Sequence, residues 1–579
     1  MRMKQKKITL FKTFRHLCSA YCHSEERGRA MGLLAVIVVL NLGAVYMSLG
    51  LNDWFKQFYA AIQAYDKDAV LPLIGTFTAY AFGDIICMVY AIYLQQMLEI
   101  KWRNWMTNRY LSSWMHKQNH YRLQVTGSKT DNPDQRISED INQFVTLTLQ
   151  LSMGLLSKVV TLVAFCVVLW NLSGVLEVPI GDYVLEIPGY MVWVCLIYAV
   201  VGTYLTHCVG RRLIGLNFNQ QRYEADFRFN MMRVRENGES IAFYGGESSE
   251  MLGFRERFRE VVKNFWQIMR QTLLLNCFVG SYNKVSYIMP IVLAAPRYFS
   301  RALNLGDFMQ VLTAFSQVKL ALSYFVTMYN DIAKFAAVIQ RLGAFTAHME
   351  EVDALENDVV QERSESGSLT LANLQVQLPD GRTLLQDCSV DLAPGSYTLI
   401  TGPSGCGKST LLRTLAGIWP FGHGRVGLPK SGQVLFLPQR PYLPLGILRR
   451  AVYYPLSAQG SEEELQEALR LVGMGRVIEL LDTSDDWSRI LSLGEQQRIA
   501  FARVLLVKPR VVFLDESTSA LDEPREKEMY ELLRQKLPQT SVISVGHRST
   551  LFALHEKELH LKGDGDWQLR PLAGAGSAV

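Results

Sequence analysis

A glycine-rich turn lies between an apolar run and a helix-forming stretch at residues 399–410, LITGPSGCGKST. Gly402, Gly407, Lys408 and Ser409 fit the spacing G-x-x-x-x-G-K-S/T. Glycines there let backbone N–H groups curl round phosphate oxygens, the following helix turns its positive dipole end toward them, and the Lys408 ammonium adds a charge. The Ser409 hydroxyl is suited to hold Mg2+. Residues 511–516, VVFLDE, read as a buried strand ending in two carboxylates, Asp515 to hold hydrated Mg2+ and Glu516 to polarise an attacking water. Ser492 and Gly494 stand at a helix start, where a hydroxyl and an amide can meet a phosphate. Gln439 follows a short strand at 434–437 and His547 follows another at 542–545; each can reach toward a terminal phosphate. The order of these groups along the chain points to binding and hydrolysis of a nucleoside triphosphate.

The elements that must position them come from the rest of the chain. At 579 residues it exceeds one core, so two or more domains are expected. Only 20% of residues are charged and mean hydropathy is slightly positive, which points to a membrane portion sharing the chain with a soluble one. The net charge of +5 is small and argues against a nucleic-acid partner. Nine cysteines lie singly, several in apolar runs (Cys87, Cys166, Cys195, Cys277), so no disulfide framework is visible. His16, Cys18, Cys22 and His23 lack a second ligand pair and are not expected to bind metal.

Residues 1–30 are rich in Lys and Arg and read as a cytoplasmic N-terminal segment; the apolar run after them is too long for a signal-peptide core. Apolar spans are expected at 31–51, 70–98, 151–172 and 188–209, with two weaker ones at 278–295 and 308–329. Residues 171–187 contain no Lys or Arg, whereas 101–136 and 211–235 are basic, which puts both termini of a six-span set in the cytoplasm. The two basic connections are long and helix-compatible, so the membrane helices should continue well into the cytoplasm. Asp84, Lys158, Lys284 and Lys319 are ionisable groups inside spans and suggest a polar cavity. The expected organisation is therefore a transmembrane domain over 31–344, an acidic linker over 345–367, an α/β domain over 368–565, and a tail over 566–579 with too little apolar content to predict structure.

Taken together these motifs resemble an ABC transporter half-molecule over nearly the whole chain. The resemblance implies a six-span α-helical transmembrane domain of exporter-type architecture fused to a cytoplasmic α/β P-loop ATPase domain. It assigns the Walker A loop to Gly402, Pro403, Ser404, Gly405, Cys406, Gly407, Lys408 and Ser409, with Thr410 beside it, the Q-loop to Gln439, the signature to 491–498 with Ser492, Gly494 and Glu495, Walker B to 511–515, and the D-loop to 519–522 with Asp522. Glu516, His547 and Gln439 are then the catalytic set, and Ser409, Gln439 and Asp515 the Mg2+ set, with ATP as nucleotide. The membrane half resembles subfamily D, the fatty-acyl and cobalamin group, and its bacterial relatives, through LNDWFKQFY at 51–59, WRNW at 102–105, DNPDQR at 131–136 and EADFR at 224–228. In the ATPase half LPQRPYLP at 437–444 points the same way. The membrane half is also similar to bacterial peptide-uptake permeases. Two departures stand out: Leu493 and Glu495 replace the usual glycine and glutamine of the signature, and Leu378 stands where many relatives stack an aromatic ring on adenine.

Half a transporter implies a homodimer in which Lys408 and Ser409 of one copy face Ser492 and Gly494 of the other across two ATP molecules. The expected activity is ATP-driven uptake of bulky hydrophilic solutes, such as cobalamin or peptides, through the lipid bilayer of a bacterial inner membrane. The alternatives are fatty-acyl or lipid-like cargo, export, and, from another class, an ATP-gated channel. The carboxyl end does not read as a peroxisomal address.

Overall fold

The computed structural model describes residues 10–126, 132–180, 183–354, 358–364, 368–430, 433–456 and 460–572. The chain divides into two compact units, residues 1–112 with 131–346 and residues 113–130 with 347–579.

The first unit is helical. Helix α1 (Leu10–Cys22) precedes α2 (Arg27–Gln63) and α3 (Lys67–Met115). Residues 10–22 belong to the segment read as a basic cytoplasmic N-terminus. They form a helix because Phe14, Leu17 and Tyr21 recur at helical spacing: Leu17 and Tyr21 are buried, Tyr21 stacks on Trp102 with ring centroids 5.2 Å apart, and Phe14 meets Phe144 and Phe335 edge-on. Residues 1–9 of that segment lie outside the described residues. Helix α4 (Asn119–Val125) follows, then a turn α5 (Pro133–Gln135) that leads through a π-helical turn at Arg136–Asp140 into α6 (Ile141–Ser173). An antiparallel hairpin, β1 (Val175–Ile180) and β2 (Tyr183–Pro188), joins α6 to α7 (Tyr190–Glu236). The fourth span starts two residues later than expected because Pro188 ends β2 and Gly189, at φ +65°, turns the chain.

Helix α8 (Gly238–Tyr244) connects α7 to α9 (Glu247–Phe299); α10 (Leu305–Leu322), α11 (Tyr324–Thr327) and α12 (Tyr329–Asp353) complete the set. The sixth apolar stretch, expected to run to 329, is interrupted after Leu322. By length and composition the helices containing the first four apolar stretches can cross a bilayer. Helices α9 and α10 carry the weaker pair, diluted by Asn283, Lys284 and Lys319. The bundle core is formed by Phe165 and Leu169 of α6, Met191 and Cys195 of α7, Ala294 of α9, and Val311, Ala314, Phe315 and Val318 of α10. Helix α10 crosses α2 so closely that a Cβ at Gly306 would lie 2.0 Å from the Lys56 carbonyl oxygen.

Two of the motifs that carried the subfamily resemblance, 51–59 and 131–136, tie this bundle together. Trp54 stacks on Phe58 at 4.6 Å and donates to the Leu73 carbonyl, and buried Asn52 donates to the Gln310 carbonyl. Buried Arg136 pairs with buried Asp140, whose two carboxylate oxygens accept from Arg341 at 2.6 and 2.9 Å. Asp131 and Lys129 lie outside the described residues. Of the span charges, Lys319 donates to Asn283 at 3.5 Å, beside exposed Lys284 on α9, while Asp84 and Lys158 are half-buried on α3 and α6.

The second unit is α/β. Its main sheet has the order β14-β13-β6-β12-β11-β8 and its second sheet the order β3-β7-β4-β5. The second sheet comprises β3 (Val359–Ser364), β4 (Leu369–Gln377), β5 (Thr383–Leu392) and β7 (Gly422–Pro429). In the main sheet β6 (Tyr397–Thr401), β8 (Val434–Leu437), β11 (Val511–Asp515), β12 (Ser541–Val545) and β13 (Lys557–Leu561) are parallel, and β14 (Trp567–Pro571) is antiparallel. The helices are α13 (Lys408–Leu415), α14 (Leu448–Tyr453), α15 (Glu462–Leu471), α16 (Trp487–Ile490), α17 (Leu493–Val507), α18 (Glu523–Lys536) and α19 (Ser549–Leu554), with a two-residue ladder of β9 (Gly446–Ile447) and β10 (Ser484–Asp485). Strands β6 and β12 are buried along their whole length and β11 up to Leu514, as a parallel sheet covered by helices requires. Val125 of α4 packs against the core of this unit.

Two expectations are corrected here. Residues 345–367 are not all linker: helix α12 continues to Asp353, because Phe345, Met349 and Val352 are buried at helical spacing beneath the exposed acids, and 359–364 pair with β7. Residues 566–579 are not all tail, since Trp567–Pro571 pair along β13. Residues 355–357, 365–367 and 573–579 lie outside the described residues.

Candidate nucleotide and catalytic site

The carboxyl ends of β6, β8, β11 and β12 are brought level by register: Ile400 and Asp515 both pair with Val545, and Leu437 with Leu514. The loops that carry Lys408 and Ser409, Gln439, Asp515 and Glu516, and His547 all leave from this one edge, where open parallel sheets bind ligands. After β6 the chain turns through Gly402 (φ +141°), Gly405 (φ +80°) and Gly407 (φ +104°) into α13. A Cβ at Gly402 would sit 2.3 Å from the Leu561 carbonyl oxygen, so only glycine fits. Within the loop Lys408 Nζ donates to the carbonyls of Gly402 and Pro403 at 2.8 and 3.0 Å. Ser404 and Gly405 are exposed on the loop, and Thr410 lies in the first turn of α13. The Cys406 side chain points the other way, into the core; its amide donates to the Pro403 carbonyl.

Ser409 Oγ donates to Asp515 Oδ1 at 3.3 Å. Burial pushes the Asp515 carboxyl above its ordinary value, with the Ser409 bond opposing and the Glu516 charge adding to the rise. A hydroxyl beside a partly desolvated carboxylate is a donor set suited to a hard, oxygen-seeking cation. Gln439, expected in the same set, is instead bonded to Glu516: its Nε2 donates to Glu516 Oε2 at 3.0 Å. His547 Nδ1 lies 3.5 Å from Glu516 Oε1. Glu516 itself has φ +48°, the left-handed region that costs a non-glycine residue energy, and its amide is held by the Val545 carbonyl. The three residues expected to be catalytic are therefore one cluster around a carboxylate in a strained turn.

Ser492 is the N-cap of α17 in a reciprocal capping box with Glu495. Ser492 donates to the Glu495 carboxylate through both its amide and its hydroxyl, each at 3.0 Å, and Arg476 pairs with the same carboxylate. Burial pushes the Glu495 carboxyl up, but the Ser492 bonds and the cations outweigh this and hold it below the ordinary value. Glu495 thus caps its own helix. Gly494 packs closely, a Cβ there coming 3.0 Å from the Ala520 carbonyl oxygen. Asp522 caps α18 by position, without a side-chain bond to it. Leu378 is half-buried in a turn closed by the Gly381 amide on its carbonyl.

Several positioning residues escaped sequence reasoning. Fully buried Gln497 donates to the Gln439 carbonyl (3.0 Å) and to Ser519 Oγ (3.3 Å) and accepts from the Ala520 amide (3.0 Å), so α17 fixes two catalytic loops at once. Arg548 donates to the carbonyls of Leu521 and Ser519. Glu526, fully buried, accepts from Thr518 and Thr550 at 2.6 Å each. Gln497 adjoins Arg498 in the quoted signature, and that adjacency was the available signal. Among the described residues no group of three or more His, Cys, Asp and Glu side chains is placed to hold a metal by itself.

Residues 17–299 match the family model ABC transporter transmembrane region 2, and residues 385–519 the model ABC transporter. The chain is 37% identical to an ABC transporter ATP-binding protein of Haemophilus influenzae over 96% of its own length and 93% of the relative's. It is 33% identical to the inner membrane ABC transporter ATP-binding protein YddA of Escherichia coli, covering 90% and 92%. It is 28% identical to the human lysosomal cobalamin transporter ABCD4, covering 86% and 85%. A bacterial Atm1-family ABC exporter with ATP bound shares its fold, with TM-score 0.70 at 19% identity over 94% of both chains. The chain belongs to the ABC transporters, with a membrane-spanning region and an ATPase domain in one polypeptide that couple ATP hydrolysis to transport.

Proposed function

We propose that this protein is a homodimeric, ATP-driven importer of bulky hydrophilic solutes, such as cobalamin or peptides, in a bacterial inner membrane. The observation that carries the catalytic part is the cluster of Gln439, Glu516 and His547 beside the Lys408 loop and the Ser409–Asp515 pair. Backbone N–H groups of the 402–409 loop and Lys408 would bind the β- and γ-phosphates, Lys408 exchanging its two carbonyl partners for phosphate oxygens. Ser409 and Asp515 would hold Mg2+, which supplies charge neutralisation on the phosphates. Gln439 joins that set only if its amide leaves Glu516. Glu516 orients and polarises the attacking water, and His547 lies close enough to hold the terminal phosphate from the other side.

One chain has one such site and one signature helix, so Ser492 and Gly494 serve a second copy. Supporting a second copy, the arm formed by α7, α8 and α9 exposes large apolar side chains along its length, among them Phe229, Phe243, Tyr244, Leu252, Phe258 and Trp266. ATP-driven closure would shift the helices that lead into α4 and α12 and switch the cavity between membrane faces. Lysines inside spans favour a wet path and a polar cargo, and a relative named as a cobalamin transporter supports that class. The inner membrane is favoured by the similarity to YddA. The test of the ATPase cycle is Glu516→Gln in the full-length protein: ATP should lock the two copies into a stable closed dimer with turnover reduced at least about a hundredfold. Steady hydrolysis by this variant would remove Glu516 from its assigned role.

A further inference from the structure

Helix α1, the turn at residues 23–26 that follows it and helix α3 enclose a pocket of about 570 Å³, within the range of small-molecule sites. None of its lining belongs to the arm formed by α7, α8 and α9. Arg109 of α3 and Glu25 of the turn both line it, and both are exposed. Among the described residues neither side chain forms an ion pair or a hydrogen bond, with the other or with a third group. The Arg109 guanidinium lies over the Trp105 ring, 5.3 Å from its centroid, and Trp105 lines the same pocket. His23 Nδ1 donates to the Ser19 carbonyl at 2.8 Å, which leaves Nε2 of the neutral ring as an acceptor. Ser24 Oγ, also in the lining, has no hydrogen-bond partner among the described residues. An unpaired cation and an unpaired carboxylate in one pocket complement a ligand that carries both charges.

We propose that this pocket binds the headgroup of a membrane lipid that carries a phosphodiester and a primary ammonium, as in phosphatidylethanolamine. Arg109 and the Ser24 hydroxyl take the phosphate oxygens, and Glu25 and His23 Nε2 accept from the ammonium. Position along the helices favours a lipid over a soluble zwitterion. Helix α2 starts at Arg27, and at 1.5 Å per residue this is about 6 Å before the apolar run that opens at Met31. Trp105 lies seven residues, or about 10 Å, past the end of the apolar part of α3 at Leu98. Its side chain, like that of Arg109, leans toward the N-terminus of α3 and hence toward the bilayer. The headgroup layer is about 5–8 Å deep on each side, so both walls of the pocket border it. Tyr21, 5.2 Å from Trp102 and 5.4 Å from Trp105 between ring centroids, completes an aromatic cluster of the kind that sits at headgroup level. A choline headgroup has no N–H to donate to Glu25, and a glycerol headgroup leaves that carboxylate without a counter-charge.

The test titrates the full-length protein in mild detergent with phosphatidylethanolamine, phosphatidylcholine and phosphatidylglycerol of identical acyl chains, and native mass spectrometry counts the lipids bound per chain. One phosphatidylethanolamine per chain should bind at least about tenfold more tightly than either other lipid. Glu25→Gln should bring phosphatidylethanolamine and phosphatidylcholine within about threefold of each other, and Arg109→Gln should weaken phosphatidylethanolamine at least about tenfold. ATP hydrolysis by both variants in phosphatidylcholine discs should stay within about twofold of wild type, which shows that they fold. Equal binding of the three lipids overturns the proposal, as does a preference that Glu25→Gln leaves unchanged. Tighter binding of phosphatidylglycerol makes the pocket a plain anion site and overturns it too. Glycerophosphoethanolamine, the same headgroup without acyl chains, should bind at least about tenfold more weakly than the lipid; equal binding assigns the pocket to a soluble ligand and overturns the membrane assignment. Absence of binding by any of the four overturns the site itself.

Discussion

Gln497→Leu keeps the volume of a fully buried side chain and removes its polar end. Three hydrogen bonds go with it, to the Gln439 carbonyl, Ser519 Oγ and the Ala520 amide. Each is worth about 1 kcal/mol net, so the Gln439 and 519–522 loops lose about 2–3 kcal/mol of their hold on α17. If that energy serves to keep Gln439 and the loop after Glu516 in place, turnover should fall about 30- to 150-fold. None of the three bonds touches residues 402–410, so ATP affinity should change less than about threefold. Steady-state hydrolysis by the full-length protein and equilibrium ATP binding separate the two quantities. Turnover within twofold of wild type would refute the reasoning, as would an equal loss in ATP affinity and rate.

Asp140→Asn removes the carboxylate between buried Arg136 and Arg341, and thermal denaturation in detergent should show a loss of about 3 kcal/mol or more, with Asp140→Glu milder; an unchanged midpoint would contradict the importance of that ion cluster. His555 is buried with ring contacts to the Leu551 carbonyl and Ser544 Oγ, and burial, first among its causes, lowers its pKa to about 4. Its folded value lies below the unfolded value of about 6.5, so the unfolded chain binds the extra proton between these values. The stabilisation is complete above about pH 6.5 and is lost as pH falls toward 4, up to about 3 kcal/mol; His555→Gln should flatten that part of the pH–stability curve, and an unaltered slope would sink this assignment.

What could be read in the sequence follows from how local each signal is. The 402–409 loop, the 511–516 strand and the capping serine of α17 depend on neighbours within a few residues, so spacing alone located them. Gln497, Arg548 and Glu526 act on loops 8 to 58 residues away in the chain, and no local pattern marks such a contact. Strands β3 and β14 escaped because VVQERS and WQLRP are short and polar, and they exist only through pairing with β7 and β13. Helices α1 and α12 were hidden by composition: the charged residues drew attention away from Leu17 and Tyr21, and from Phe345, Met349 and Val352, which recur at helical spacing and are buried. Glu495 was singled out by its place in the signature, and its capping contact with Ser492 was legible there as a serine three residues before a glutamate; the pairing with Arg476, 19 residues away, was not.

The most direct measurement of the central claim is uptake of labelled cobalamin and of a labelled proline-rich peptide by bacterial cells lacking their own routes for both, with wild type beside Glu516→Gln. Uptake of at least one solute that requires Glu516 is the expected result. Equal uptake by the two forms would make the protein a gated pore, and no uptake by either would contradict import of these solutes.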